Sequence, residues 1–302
     1  MKHEIAKPFL KWAGGKTQLI SEIEKALPNE MTNKKFTYIE PFVGSGAVLF
    51  WMLNNFPKLQ KAVINDINSD LINCYKMIAA KPKELISILR ILQMEFHSLE
   101  NKPEKKKEYY YQKRASYNTR KEELSTQAAL FIFLNRTCFN GLYRVNKSNG
   151  YNVPMGSYKK PTICDEKNIL AVSAALQKVE ILCGDYQKTL YYAQKNTLFY
   201  FDPPYKPVSA TSNFNSYAKE DFNDTEQIRL RDFCTRLDTL NYNWILSNSD
   251  VNGKDKNDNF FDDLYRNFFI TRVDARRSIN ANSEKRGVLK ELLITNRINK
   301  QE

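Results

Sequence analysis

Asp202, Pro203, Pro204 and Tyr205 bring together groups suited to a planar base that carries an exocyclic amine. A carboxylate and a backbone carbonyl can accept the two N–H bonds of such an amine, while an aromatic ring stacks on the face of the base. Two consecutive prolines forbid both helix and further ladder pairing, so the corner is rigid. The four residues also fit a proline-capped strand end with a solvent-facing Asp202, and the choice rests on the rest of the chain.

The element that must position the corner is Leu198-Phe199-Tyr200-Phe201, an unbroken apolar run that reads as a strand covered on both faces. It has company. Tyr38-Ile39 runs into Glu40, Ala62-Val63-Ile64 into Asn65-Asp66, Val179 to Cys183 into Gly184-Asp185, and Trp244-Ile245-Leu246 into Ser247-Asn248. Five strands are thus expected to end in Glu40, Asp66, Asp185, Asp202 and Asn248. In an open α/β sheet ligands bind outside the carboxyl ends of the strands.

Glycines sharpen the expectation. Pro41-Phe42-Val43-Gly44-Ser45-Gly46 leads into the apolar helix Ala47 to Leu53, the start of a nucleotide-binding α/β unit. Asp66 follows Gly46 by 20 residues, where an acid can meet a ribose diol. Leu49 stands where a dinucleotide fingerprint wants a third small residue, so a mononucleoside cofactor fits better than NAD. Nearer the amino terminus, Trp12-Ala13-Gly14-Gly15-Lys16 invites comparison with a phosphate-binding loop. Leu10 at the first glycine position breaks that pattern. A glycine turn before a helix over Thr17 to Leu27 remains. Its N-terminus and Lys16 can hold an anion and Trp12 can face a cation or purine, or the turn simply buries one indole.

Composition limits the function classes. The 302 residues give ample length for a buried core, and no apolar run approaches the roughly 18 residues of a membrane span. The amino terminus lacks the apolar region of a signal peptide. Five widely spaced cysteines without a Cys-x-x-Cys pair argue for a reducing, cytoplasmic compartment and against a zinc site. With only His3 and His97, a histidine metal cluster or a catalytic triad is disfavoured, and no metal is expected.

A net charge of +12 suggests a polyanionic partner, and its distribution says more. From Leu124 to Cys164 no acidic residue occurs, while Arg136, Arg144, Lys147, Lys159 and Lys160 alternate with asparagines and with Tyr143, Tyr151 and Tyr158. Cations mixed with amides and aromatics look like a nucleic-acid surface, although a solvated basic loop has the same composition. Residues 76–172 carry few strand patterns and read as a mostly helical second domain bearing this loop, between catalytic segments 1–75 and 173–302. Within it, the Lys105-Lys106-Lys107 run reads as a solvated helix face. Further on, a helix is expected to begin near Asp224, with Gln227 at capping-box spacing. Arg272, Arg276, Arg277, Lys285 and Arg286 mark a basic loop or a plain surface hairpin before a last strand at Leu292 to Thr295.

The order of these motifs resembles the Dam-like DNA adenine-N6 methyltransferases (D12 class, alpha group). The likeness runs through Phe9 to Lys16, Glu40 to Gly46, Asn65-Asp66, Asn135-Arg136, Asn140-Gly141-Leu142-Tyr143-Arg144, Asn152-Val153-Pro154, Gly184-Asp185, Asp202 to Tyr205 and Leu246-Ser247-Asn248. It implies an α/β Rossmann-like methyltransferase domain with an inserted, mostly helical target-recognition domain. It also implies S-adenosyl-L-methionine as cofactor, leaving as S-adenosyl-L-homocysteine. By the same resemblance Trp12, Gly15, Lys16, Glu40, Phe42, Gly44, Gly46, Asp66, Asp185 and Asp202 would hold the cofactor, with Asp66 on the ribose and Asp185 on the adenine. Lys11, Arg136, Asn140, Leu142, Arg144, Pro154 and Tyr158 would meet double-stranded DNA, and the Asn140-Gly141-Leu142-x-Arg144 match favours GATC. Asp202, Pro203 and Tyr205 would be catalytic: Asp202 and Pro203 accept hydrogen bonds from the amine of a flipped adenine, and Tyr205 stacks on the base. A monomer is expected, with a cognate restriction endonuclease as a conceivable partner. The competing readings are an RNA adenine-N6 methyltransferase, which would share the corner, and a non-catalytic nucleic-acid-binding module, which would leave the five polar strand ends without use. An NAD-dependent oxidoreductase is disfavoured by Leu49 and the scarcity of histidine.

Overall fold

The computed structural model describes residues 4–12, 16–206, 222–253, 258–276 and 288–297. Five parallel strands come first: β1 (Phe36–Glu40), β2 (Leu59–Asp66), β3 (Val179–Cys183), β4 (Thr197–Phe201) and β5 (Asn243–Ser249). Then β6 (Phe269–Arg276) and β7 (Val288–Thr295) complete one sheet in the order β3-β2-β1-β4-β5-β7-β6, with β7 antiparallel to both its neighbours. The order reverses between β1 and β4, whose five residues each are all buried. Such a switch point leaves a crevice at the strand ends, because the connections on its two sides depart toward opposite faces.

The helices are α1 (Ile20–Ala26), α2 (Glu30–Asn33), α3 (Ala47–Asn55), α4 (Ser69–Ala80), α5 (Pro82–Ser98), α6 (Pro103–Thr119), α7 (Leu124–Thr137), α8 (Glu166–Leu176), α9 (Asp224–Thr239) and α10 (Phe260–Leu264). Local chemistry sets several starts. Asn68 caps α4 by accepting from Asp70 N and Leu71 N, Asp165 caps α8 through Asn168 N, and prolines open α5 and α6 where a missing N–H costs nothing. Lys16–Gln18 is a short 3-10 turn, so the helix expected from Thr17 starts only at Ile20. The cap of α9 is Asn223, one residue before the expected Asp224, and its side chain accepts from Glu226 N at 3.1 Å.

Strand periodicity divides the core in two. Tyr38, Ile64, Leu198, Tyr200 and Ile245 face α3 to α8, whereas Ile39, Val63, Phe199, Phe201 and Leu246 face α9 and α10. Both faces are thereby covered, which is the Rossmann-like α/β arrangement the apolar strand runs anticipate. α7 packs against α4, α5 and α6 at the centre of the helices between β2 and β3, and its buried side chains join the core of the first sheet face. Positions 75/76 and 172/173 fall inside α4 and α8, so helices rather than linkers carry the chain across both points. Among the described residues no helix is long and apolar enough to cross a membrane.

Candidate active site

Asp202 follows the last residue of β4 at the switch point, and Lys16 reaches it with Nζ 3.0 Å from Oδ1. The same ammonium lies 4.4 Å from the centre of the Tyr205 ring and 4.0 Å from Glu291 Oε2. Tyr205 donates its hydroxyl to Glu291 Oε2 at 2.6 Å. Lys16 is buried, yet the pair is not closed off, since a fifth of the Asp202 side chain remains accessible (21 %). Burial pushes the Asp202 carboxyl from an ordinary 3.8 up to about 6; Lys16 opposes the rise and Glu291 adds to it.

The corner is held from behind. Gln227 of α9, wholly buried, donates to the Pro204 carbonyl at 3.2 Å and accepts from Asn248 Nδ2 at 3.1 Å. Ser249 Oγ donates to the Lys206 carbonyl at 3.0 Å. Asn248 therefore is not a strand tip, contrary to expectation: β5 runs on to Ser249, and Asn248 braces the corner from inside the core. Below Asp202, Tyr38 donates to Glu40 at 2.7 Å, and the Tyr200 and Ser247 hydroxyls share a bond of 2.8 Å. Burial pushes Glu40 well up, the Tyr38 hydrogen bond opposes this, and the Asp202 and Asp66 carboxylates push it further.

Beside β1, Gly44 and Gly46 take left-handed φ values of 49° and 76°. A Cβ on Gly46 would lie 2.6 Å from the Tyr75 hydroxyl, which itself donates to the Gly44 carbonyl at 3.0 Å. Asp66 secures the loop from the tip of β2 by accepting from Gly44 N (3.1 Å) and Asn68 N (2.9 Å), with the Ile67 N–H as a further backbone donor. A carboxylate has about four acceptor sites, so one is left for a donor such as a hydroxyl. Burial raises the Asp66 pKa, and these backbone bonds oppose the rise. Phe42, half-buried, meets Tyr186 and Phe201, giving the crevice an apolar wall. Asp185 caps the turn after β3 through Gln187 N and pairs with Arg229 at 2.6 Å. Trp12 rests on Gly44 and stacks on Tyr143, with ring centres 5.6 Å apart. Gly15 lies outside the described residues.

The acid-free segment runs from α7 into a platform packed on the same core. Bridges Cys138↔Met155 and Val145↔Tyr151 fold residues 138–155 back on themselves. Asn135 ties Lys11 to this platform, accepting from Lys11 N (2.8 Å) and donating to the carbonyls of Lys11 (2.7 Å) and Gly141 (3.0 Å). The Lys11 side chain then lies against Gly141, whose φ is 65°, and ends 4.0 Å from the centre of the Tyr158 ring. Asn140 is exposed in a left-handed conformation, and Pro154 is exposed beside it, its carbonyl accepting from Phe139 N. Leu142 and Arg144 are half-buried, and Arg144 is aligned by Asn152 Oδ1 at 2.7 Å from its Nε. Lys11, Asn140, Leu142, Arg144, Pro154 and Tyr158 thus share one local structure. Arg136 is spent differently: it donates to the Phe9 carbonyl at 2.8 Å, and burial lowers its pKa.

Lys106 corrects another expectation. It is buried, not solvated, and donates to the carbonyls of Tyr158 (3.1 Å) and Lys159 (2.7 Å) while lying over the Phe96 ring. Loop carbonyls without ladder partners need donors, and a lysine stem can cross apolar surface to supply them. Residues 277–287, most of the expected basic loop, lie outside the described residues; Arg272 pairs with Asp250 and Asp262. Glu291 and Gln227 are the contributors that motif reading missed. Glu291 stands midway along β7, opposite Ser249, the last residue of β5.

Sequence comparison identifies related proteins. The family described as D12 class N6 adenine-specific DNA methyltransferase matches residues 12–279. The type II methyltransferase M.MjaIII of Methanocaldococcus jannaschii is 49 % identical over 295 residues, covering 96 % of this chain and 99 % of that protein. The type II methyltransferase M1.LlaDCHI of Lactococcus lactis subsp. cremoris is 39 % identical over 96 % of this chain and 95 % of its own. The DNA adenine methylase of Haemophilus influenzae is 37 % identical over 97 % of this chain and 93 % of its own.

Proposed function

The chain belongs to the D12 class of N6 adenine-specific DNA methyltransferases, and from that premise we propose that it methylates an adenine flipped out of duplex DNA, with GATC the favoured site. DNA adenine methylation and the use of S-adenosylmethionine follow from the family. The observation that carries the finer reading is the corner itself: Asp202 at the switch point, held by Lys16, beside Pro203 and the ring of Tyr205.

The donor set suits a sulfonium cofactor. Glu40, Asp66, Asp202 and Glu291 gather carboxyl groups at one end of the sheet, where Asp66 and Asp202 raise Glu40 and Glu291 raises Asp202. A cation relieves that mutual repulsion. Asp66 would accept from the ribose, Asp185 would meet the adenine beside the Phe42 wall, and Trp12, Lys16, Glu40, Gly44 and Gly46 would complete the cradle. Bound S-adenosylmethionine supplies a methyl group already activated for displacement.

The protein's task is to prepare the nucleophile. An adenine amine delocalises its lone pair into the ring. The Asp202 carboxylate and the Pro203 carbonyl would accept its two N–H bonds, favouring a pyramidal nitrogen with its lone pair directed outward. The neighbouring Pro204 carbonyl is already taken by Gln227, which supports Pro203 as the second acceptor. Flipping costs a few kcal/mol, and stacking on Tyr205 offsets part of it. On the recognition platform Arg144 suits a guanine edge and Leu142 a thymine methyl, while Lys11, Asn140, Pro154 and Tyr158 would fix its register on the duplex.

The chain acts as a monomer in this reading, and its likeness to proteins named type II methyltransferases makes a cognate restriction endonuclease its natural partner. The DNA substrate and five unpaired cysteines support a cytoplasmic location. Incubating unmethylated genomic DNA with protein and S-adenosylmethionine and then mapping N6-methyladenine by sequencing tests the proposal. Modification confined to GATC is expected, and modification confined to an unrelated sequence would overturn the site assignment.

A further inference from the structure

We propose that Glu291 is a positioning residue for the transfer, holding the Tyr205 ring in its stacking orientation and sharing Lys16 with Asp202. The inference rests on the assignment of Asp202 and Tyr205 to the reacting adenine.

The topology delivers Glu291 to this place. Parallel strands bring their last residues to the ligand edge, but β7 runs the other way and its first half extends past that edge, so a mid-strand residue, Glu291, comes level with the end of β5. Glu291 pairs across the ladder with Ser249, the final residue of β5, and Ser249 in turn holds the Lys206 carbonyl just beyond the corner. One carboxylate oxygen of Glu291 receives the Tyr205 hydroxyl at 2.6 Å and faces the Lys16 ammonium at 4.0 Å, and that ammonium stands 3.0 Å from Asp202. The chain Tyr205–Glu291–Lys16–Asp202 therefore joins the stacking ring to the amine acceptor.

A ring tethered only by its Cβ can turn about χ1 and χ2; the Glu291 bond at the far end fixes χ1, and the Lys16 ammonium 4.4 Å from the ring centre limits rotation about χ2. Stacking is sensitive to that orientation, and a misplacement of about 1 Å near a reacting centre can cost about 100-fold in rate. The carboxylate has a second effect. Asp202 is faced by Lys16 from the amino-terminal turn, Glu291 from β7, Tyr200 and Tyr205 from β4 and the corner, and Glu40 from β1; of these, Lys16 holds its pKa down and Glu291 raises it.

Single-turnover methylation of a duplex with one GATC site, measured between pH 5 and 9, separates these contributions. Glu291→Ala is expected to lower the methyl-transfer rate about 10- to 100-fold with duplex affinity within about 3-fold of wild type. Glu291→Gln keeps an acceptor for Tyr205 and is expected to recover most of the rate, with the acid limb of its pH profile moved to lower pH. Tyr205→Phe in the Glu291→Ala background is expected to add little further loss. A wild-type rate for Glu291→Ala, or equal damage by Ala and Gln with an unmoved acid limb, would overturn the proposal. If the wild-type protein itself fails to methylate this duplex, the reading of the site fails instead.

Discussion

The Lys16 ammonium lies 3.0 Å from the Asp202 carboxylate, and the pair stands where the strand order turns between β1 and β4. The acceptor assigned to the target amine is thus held toward its ionised form by a buried cation, against burial, which pushes its pKa up. Removing that cation should change the pH dependence of the reaction in a known direction. Wild-type activity should fall as pH drops through about 6, where Asp202 takes up a proton. Lys16→Met should move that limb upward, so that activity at pH 6.5 falls by a larger factor than activity at pH 8.5. Rate–pH profiles under saturating cofactor check this; an unmoved limb contradicts it.

Asp202 should also cost stability. Its pKa rises from 3.8 to about 6 on folding, so between those values the folded chain binds more protons than the unfolded one. Its contribution to stability is accordingly greatest below about pH 4, declines up to about pH 6 and stays low above. Asp202→Asn removes a strained charge while keeping the shape, and should stabilise the protein by ~1–3 kcal/mol at pH 7.5. Urea unfolding of the two proteins measures the difference, and a destabilised Asn variant contradicts it.

Lys106 ties the loop proposed to meet DNA to helix α6. Lys106→Met keeps the apolar stem but leaves the Tyr158 and Lys159 carbonyls without their donor. A loss of ~1–3 kcal/mol in stability is expected from two stranded acceptors. Duplex affinity should fall as well, since Tyr158 also carries Lys11. Denaturation and fluorescence anisotropy report the two effects separately.

Arg144 and Lys159 should behave differently although both are basic. Arg144 is oriented by Asn152, whereas the Lys159 side chain is exposed. Arg144→Ala should relax base choice at one position of the site by ~1–3 kcal/mol, and Lys159→Ala should weaken all duplexes alike and flatten the salt dependence. A series of single-base site variants distinguishes them.

What could be read from the chain follows from how each residue reaches its place. Glu40, Asp66 and Asp202 were legible because a buried parallel strand announces itself as an apolar run and its last residue must lie at the ligand edge. Glu291 was not, because it sits midway along an antiparallel strand, level with the last residue of β5, and no motif marks such a position. Asn248 carried the right composition for a strand tip, but β5 continues past it, and its amide serves Gln227 instead. Lys106 looked solvated because its neighbours Lys105 and Lys107 are; only the tertiary approach of the Tyr158–Lys159 carbonyls gives it something to bury against. The acid-free segment takes left-handed φ at Asn140, Gly141 and Asn149, residue types that tolerate that conformation. Arg136 shared that composition yet turned inward to Phe9, a distinction that composition does not make.

The account turns on Asp202 as the residue that accepts the adenine amine. The most direct test follows the methyl group from labelled S-adenosylmethionine to a GATC duplex with wild-type protein and with Asp202→Ala, at matched occupancy of the DNA. The account predicts label on adenine N6 with wild type, and duplex binding within about 3-fold but no detectable transfer with the variant. Transfer by Asp202→Ala at close to the wild-type rate would contradict it.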